Sequence, residues 1–405
     1  MIHVIGGFYN ELCLYPQWHY NFGSGARAAA AIAEFGDKIC LHSYVHKNKE
    51  QEFEYFSKLY KIDSKMIQSS EIINFEYYHS LSKPNIYTLN TPIIKQETYS
   101  LNEDIIICYG MMEADNPILN ADYVIFDPQS ESSPSMIFEN DSNINHLAVI
   151  LNVEEAKRFT KQDNIDNIAK YLFEHSDILD VLILKDGPFG AHLFTKDNGY
   201  SHIDSYETNN IFKIGSGDIF VAVFSYLWAK DKLTPFEAAQ KASLATAYYC
   251  NTKILPIGKE MLYSDELNFS KIKIHKEKFN KTIYLAGPFF SMADRWLIEE
   301  AKVQLEKFGA NVFSPLHEVG FGEASFVAKE DLTGLDNADI LYAVLNNYDP
   351  GTVFEIGYAI SKKIPVVIFI ENETAINMTM FEGSGCMIEN DFSSSVYKVI
   401  WESSK

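Results

Sequence analysis

The sequence predicts an α/β protein of two domains, the first with a small β lid and the second built on a compact parallel sheet. Three observations lead there. From Asp104 onward, short apolar runs of strand character alternate with helical stretches. Several of these runs end in a polar group or a glycine turn, which is where open α/β sheets bind ligands. A polar, charged stretch at 258–280 then interrupts the alternation, and strand–helix order restarts at Thr282. The expected division is therefore 1–257, a linker at 258–280, and 281–405.

Length and composition agree with this reading. The 405 residues exceed one ordinary core, and the 47% apolar content is that of a globular chain. With 34 basic against 55 acidic residues, the net charge of −21 opposes binding to nucleic acid or to an anionic membrane, leaving small molecules or protein as partners. No run approaches a membrane span, and the start lacks the basic head and apolar core of a signal peptide. The five cysteines, Cys13, Cys40, Cys108, Cys250 and Cys386, are scattered and form no Cys-x-x-Cys pair. That favours reduced thiols in a cytoplasm and argues against a structural zinc.

In chain order, residues 1–7 read as a strand, and Gly23-Ser24-Gly25-Ala26-Arg27 as a glycine turn opening an Ala-rich helix that stops at Gly36. A strand follows over Lys38 to Tyr44. Between about 70 and 100, Tyr- and Ile-rich segments broken by Ser and Pro suggest the β lid. Strands are expected at Asp104 to Tyr109, Tyr123 to Phe126, Leu147 to Leu151 and Val181 to Leu184, with a helix near 164–175. Asp127-Pro128-Gln129, Asn152-Val153-Glu154-Glu155 and Lys185-Asp186-Gly187-Pro188-Phe189-Gly190 each follow one of these strands. Gly215-Ser216-Gly217-Asp218 then opens an apolar helix. Its three small residues bare backbone N–H groups that suit a phosphate, and Asp218 is placed to take a proton from a hydroxyl. Taken alone, such a turn just caps a helix.

In the second half, Thr282 to Phe290 reads as a strand ending in a small-residue turn, Ala293 to Phe308 as an amphipathic helix, and Val312 to Pro315 and Ile340 to Leu345 as further strands. Asp349-Pro350-Gly351 is turn chemistry leading into a helix over 351–362. Glu355 is expected in or near the first turn of that helix, where the positive helix end favours an ionised carboxylate able to attack an electrophilic carbon. The alternative is that Glu355 only decorates a helix end. Asp331 as a plain helix-terminal acid, Tyr284 as strand packing and His317 as a loop histidine are the matching alternatives for their neighbours.

In this order, the motifs of the first 255 or so residues resemble the PfkB (ribokinase-like) family of sugar and nucleoside kinases. Gly23 to Arg27 stands where that family has a Gly-Gly loop that contacts sugar, Asp127-Pro128-Gln129 resembles its Asp-Pro-Asn strand end, and Asn152 with Glu155 its Asn-x-x-Glu motif near Mg²⁺ and phosphate. Gly215-Ser216-Gly217-Asp218 is similar to its Gly-Ala-Gly-Asp anion hole and base. The resemblance implies a ribokinase-like domain using ATP and Mg²⁺, with Gly23, Gly25 and Arg27 toward the sugar. Gly215, Ser216, Gly217, Asn152, Glu155, Lys185, Gly187 and Gly190 would lie toward nucleotide or metal, the metal being held by Asn152 and Glu155. The chain departs from the family at Arg27, which replaces Asn, and at Ile211-Phe212-Lys213, which replaces Val-Asp-Thr and removes a carboxylate.

Residues 281–405 resemble the nucleoside 2-deoxyribosyltransferase family. Tyr284-Leu285-Ala286-Gly287-Pro288-Phe289-Phe290 is similar to its first-strand motif, Asp349 and Glu355 keep its spacing of six, and Asp331 and Ile376-Asn377-Met378 match further segments. The resemblance implies a flavodoxin-like domain in which Glu355 attacks C1′ of a nucleoside through a covalent glycosyl intermediate, without a cofactor. Asp349 and Asp331 would protonate or hold the base, and Tyr284 and Asn377 would orient sugar and nucleophile. Gly287, Pro288, Phe290 and His317 would contact substrate. His317-Glu318 departs from the family's glutamine-containing base pocket, which leaves nucleosides, their monophosphates and NAD-like dinucleotides open. A homo-oligomer follows if Asn377 acts across a subunit boundary. Two readings result: a bifunctional enzyme, or a nucleotide- or NAD-depleting effector, for example in phage defence, gated by a non-catalytic kinase-like sensor.

Overall fold

A computed structural model of the chain describes residues 1–405 except 130–134, 198, 265–266, 277–278 and 372–377. The described chain forms two compact units, Met1–Thr208 with Phe212–Lys271, and Asn209–Ile211 with Ile272–Lys405. The stretch 258–280 is thus shared between them instead of standing apart. Leu262 is buried in a short turn at Glu260–Tyr263 and its carbonyl accepts from Lys241, while Ile272 and Phe279 are buried further on. These anchors are single apolar residues among charges, and they give no periodic signal.

The first unit is wound on a ten-stranded sheet. Across it run Tyr200–Ile203, Ala191–Thr195, Leu179–Lys185, Asn143–Asn152, Ile118–Asp127, Ile105–Tyr109, Ile2–Ile5, Ile39–His46 and Asp63–Ser69, with Ser100–Asn102 pairing beside Ile118–Asp127. The strands from Leu179–Lys185 to Asp63–Ser69 are parallel, and the two outer ones are antiparallel. Side chains alternate between two cores, as strand geometry demands. Ile105, Ile107 and Tyr109 join the core that holds Ala28–Ala31 and Ile219–Phe224, whereas Ile106 and Cys108 join the one that holds Ala156, Ile168 and Leu172. The helix Gly23–Ala31 begins within the glycine turn itself. It starts that early because Gly25 lets it pack on the first strand: a Cβ there would sit 2.6 Å from Gly6.

A separate four-stranded sheet is the lid, in the order Trp18–Asn21, Asn10–Tyr15, Ile73–His79, Asn85–Thr88. Residues 70–100 therefore supply only half of it. The other half comes from a hairpin at 10–21 whose polar and aromatic residues carry no clean alternation.

The second unit is a five-stranded parallel sheet in the order Asn311–Phe313, Thr282–Ala286, Ile340–Val344, Val366–Phe369, Met387–Glu389. Numbered within the unit this is 2-1-3-4-5, the flavodoxin-like order. The sequence reverses direction across the sheet between Thr282–Ala286 and Ile340–Val344, and a crevice opens at their C-terminal ends.

Candidate active sites

In the first unit, three neighbouring parallel strands end on Asp127, Asn152 and Lys185, so their polar tips share one edge of the sheet. Lys185 Nζ donates to Asp127 Oδ2 at 2.8 Å. Burial raises the Asp127 carboxyl to about 6 despite that ammonium, and Asp127 Oδ1 is buried without a partner among the described residues. Gly215, at φ 76°, turns the chain into the helix Ser216–Ser225, and a Cβ on Gly217 would lie 3.2 Å from Lys185 Nζ. A cleft of about 300 Å³ gathers Gly215, Gly217, Asp218, Lys185, Asp127 and Glu155.

The decisive feature of this cleft is Arg27. It is buried, donates to Asp218 Oδ2 at 2.9 Å and pairs with Glu11, whose other oxygen accepts the Gly23 N–H at 3.1 Å. Burial opposes its charge, but Glu11 and Asp218 more than offset this and raise the guanidinium further. The second Asp218 oxygen accepts from Gln129 Nε2 at 2.8 Å. Both oxygens of the expected base are therefore occupied. Arg27 and Gln129, both departures from the motif, each occupy one oxygen, and Gly215 is fixed as glycine because a Cβ there would meet Arg27 Nε at 2.1 Å.

Asn152 and Glu155 form a capping box at the start of the helix Val153–Thr160. Asn152 Oδ1 accepts the Glu155 N–H at 2.8 Å, and Glu155 Oε2 accepts the Asn152 N–H at 2.9 Å. Glu155 lines the cleft, whereas Asn152 is not among its lining residues. Gly187 and Gly190 belong to a tight turn after Lys185, where Gly190 approaches the Ile203 carbonyl, and they too are not among the lining residues. Glu11, Gln129 and the lid aromatics Phe75 and Tyr77 do line the cleft. Glu11 carries no motif, so only folding the lid hairpin could reveal it.

In the second unit, Tyr284 and Glu355 meet. Tyr284 Oη donates to Glu355 Oε1 at 2.5 Å from the middle of the first strand of this unit. The helix Pro350–Lys362 is capped by Asp349, whose Oδ2 accepts from Thr352 N at 2.8 Å and Thr352 Oγ1 at 2.9 Å. Counting from that cap, Glu355 lies in the second turn, and the helix has no acid in its first. The expectation of an ionised carboxylate fixed by the helix end is corrected accordingly. Burial raises Glu355 to about 7; the Tyr284 bond opposes this, and the negative charges of Asp331 and Asp349 add to it. Burial also raises the Asp331 carboxyl, and Asp331 Oδ1 has no partner among the described residues.

Glu355, Asp331 and Asp349 line a cleft of about 360 Å³ together with Gly287, Phe289 and Phe290. Gly287 must be small because a Cβ would come 2.5 Å from Ile298 Cδ1. Pro288 is buried next to it. His317 bonds Ser314 Oγ and Glu299 Oε2, each at 3.0 Å, and is not among the lining residues. Asn377 lies outside the described residues. Two consecutive residues in left-handed backbone, Asn347 (φ 61°) and Tyr348 (φ 51°), bring the chain into Asp349, a strained approach of the kind that collects at functional sites.

Comparison with known families falls on the same two units. Residues 118–253 match the pfkB family carbohydrate kinase model, and residues 283–393 match the nucleoside 2-deoxyribosyltransferase model. Two enzyme families meet in this chain. Among solved structures, the chain is similar to ribokinase from Giardia lamblia at 15% identity, covering 65% of this chain and 97% of that one with a TM-score of 0.49. It is also similar to a possible 1-phosphofructokinase from Thermotoga maritima, at 12% identity over 68% and 100% of the two chains with a TM-score of 0.49. A third is the nucleoside kinase of Methanocaldococcus jannaschii, at 17% identity over 66% and 98% with a TM-score of 0.44. No curated protein matches. No helix among the described residues is long and apolar enough to cross a membrane.

Proposed function

We propose that the deoxyribosyltransferase-family unit cleaves or transfers the N-glycosidic bond of a nucleoside through Glu355. Glu355 attacks C1′, the C1′–N bond breaks with its electron pair passing to the base, and an ester bond to Glu355 forms. Asp331, which lines the same cleft, is assigned to protonate the leaving base. Asp349 caps the helix that carries the nucleophile, and Tyr284 holds Glu355 in place. Water then gives hydrolysis and a second base gives transfer. The observation that carries this reading is the half-buried Tyr284–Glu355 bond at the crevice of the 2-1-3-4-5 sheet.

A carboxylate raised to about 7 must lose its proton before it attacks, so base release is expected to fall on the acid side of about pH 7. The Tyr284 bond holds this value down, so Tyr284→Phe is expected to move the acid limb upward. An unmoved limb in the pH–rate profile would remove Tyr284 from this role. The same shift has a stability sign: the folded value lies above the ordinary 4.5, so ionising Glu355 costs stability progressively between about pH 4.5 and 7, and fully above that.

The cleft also bears on substrate. Three carboxylates line it and no lysine or arginine does among the described residues. A 5′-phosphate placed there meets acidic side chains and no cation among the described residues. Nucleosides are therefore expected to exceed their monophosphates, and NAD, in kcat/KM by on the order of 10-fold or more. Equal turnover of nucleoside and monophosphate would overturn this choice.

The kinase-family unit is proposed to bind a phosphorylated small molecule. The cleft fits ATP with Mg²⁺ at several points: the small residues Gly215 and Gly217 at a helix start and Lys185 would hold phosphate, and the unpartnered Asp127 oxygen with Glu155 would face the metal. Bound there, ATP would supply the phosphoryl group for a sugar or nucleoside hydroxyl. A second reading is favoured by one observation, the occupation of both Asp218 oxygens by Arg27 and Gln129. In that reading the unit binds nucleotide as a sensor without transferring phosphate. Nucleosides incubated with and without ATP and Mg²⁺, with free base and ADP followed by chromatography, test both. ADP formed with a nucleoside or sugar and lost in Asp218→Ala marks the kinase; nucleotide binding without ADP marks the sensor.

A further inference from the structure

A second cluster of reactive side chains lies in the first unit, apart from the cleft. Cys40 and His42 are two residues apart on the strand Ile39–His46, so both point to the same face of the sheet. His3, on the parallel neighbour Ile2–Ile5, is in register with Cys40 and reaches the same face. All three side chains are buried. One nitrogen from each ring and the Cys40 sulfur lie within 4.8 Å of one another, and His3 Nδ1 stands 2.9 Å from His42 Nε2.

We propose that His3, Cys40 and His42 form a three-ligand site for a borderline-soft transition metal ion such as Zn²⁺, a role that neither proposed reaction uses. Two imidazoles and a thiolate are the donors such an ion selects, at about 2.0–2.1 Å for nitrogen and about 2.3 Å for sulfur. Those bond lengths imply an N···N separation of roughly 3.3 Å around a tetrahedral ion, close to the gap already present. The surroundings have the form expected of an outer shell. Glu103 Oε2 lies 3.3 Å from His3 Nε2, the ring nitrogen left over when Nδ1 binds metal, so a slight ring rotation makes the carboxylate–histidine–metal arrangement that fixes the tautomer. That His3 Nε2 is otherwise without a hydrogen-bond partner among the described residues. On the other side, Tyr99 stacks on the His42 ring at 10° and holds its plane.

As the metal–sulfur bond forms, the Cys40 thiol gives up its proton to solvent. Lys65, in register with His42 on the next strand, is the nearby cation, and its side chain is exposed to water. The cluster escapes Cys-x-x-Cys reasoning because its third ligand comes from another strand.

The test uses the full chain, prepared metal-free and titrated with Co²⁺. Tetrahedral Co²⁺ gives strong visible bands, and a thiolate adds a near-ultraviolet charge-transfer band. The expected result is both, saturating at one equivalent per chain. Cys40→Ser should lose the charge-transfer band, and His42→Gln should lose the visible bands, with circular dichroism reporting that each variant is folded. Zn²⁺ should displace the Co²⁺ and raise the melting temperature of the unsubstituted chain but not of the variants. An unsubstituted chain that yields no tetrahedral spectrum, or one that Cys40→Ser leaves unchanged, would overturn the site and leave the cluster a hydrogen-bonded histidine pair.

Discussion

Glu355→Gln is expected to abolish base release from nucleosides, lowering kcat by on the order of 10³-fold or more, with little change in fold. The substitution keeps the shape of the side chain and an oxygen able to accept from Tyr284 Oη, so the 2.5 Å contact survives in neutral form. What it removes is the charge that forms the bond to C1′. It also removes the cost of ionising a buried acid beside Asp331 and Asp349, so the variant should melt at the same or a higher temperature above pH 7. Lost activity together with retained stability is therefore the signature of a nucleophile. A Glu355→Gln chain that still releases base at an undiminished rate would end the glycosidic proposal. Mass spectrometry offers a second view, since the unsubstituted enzyme stopped during turnover should carry one deoxyribosyl group on the peptide that contains Glu355.

Arg27→Met is expected to cost on the order of 3–5 kcal/mol of unfolding free energy, read by urea denaturation. Methionine fills much of the volume, but the substitution leaves Glu11 and Asp218 as buried carboxylates without their shared cation. A double change, Arg27→Met with Glu11→Gln, removes one stranded charge and should recover part of the loss. Equal stability of the single variant and the unsubstituted chain would show that the triad contributes no net stability. The same variants separate the two readings of the kinase-family unit. If Arg27 holds Asp218 idle, releasing it in the double variant should raise ADP formation; if Arg27 orients the base, the same change should remove it.

Much of the lining of both clefts could be read from the sequence because their motifs are local. Asp349 through Glu355 lie on one turn and one helix, and Gly215 through Asp218 on another, so chain geometry alone sets their order and approximate spacing. The strand ends at Asp127, Asn152 and Lys185 were equally visible, since apolar runs mark the strands and the first polar residue marks their tips. Local pattern could not decide what each of these groups is bonded to. Asn152 and Glu155 satisfy each other as a capping box, and His317 faces Ser314 and Glu299, because each found a partner within reach. Turn chemistry places Glu355 near the helix end, yet it lies one turn too far along, and burial raises its carboxyl instead.

By itself, then, the sequence determined the two α/β units, the polar strand ends, and the acids that line the two clefts, since hydrophobic period and turn chemistry act over a few residues. Only the tertiary structure decided the desolvation of the Glu355 carboxyl, the capture of Asp218 by Arg27 and the meeting of His3 with Cys40 and His42. Each of these depends on groups brought together from distant parts of the chain in a water-poor interior. There, desolvation and a single charged neighbour set the state of an ionisable side chain, and neither is encoded in its own stretch of sequence.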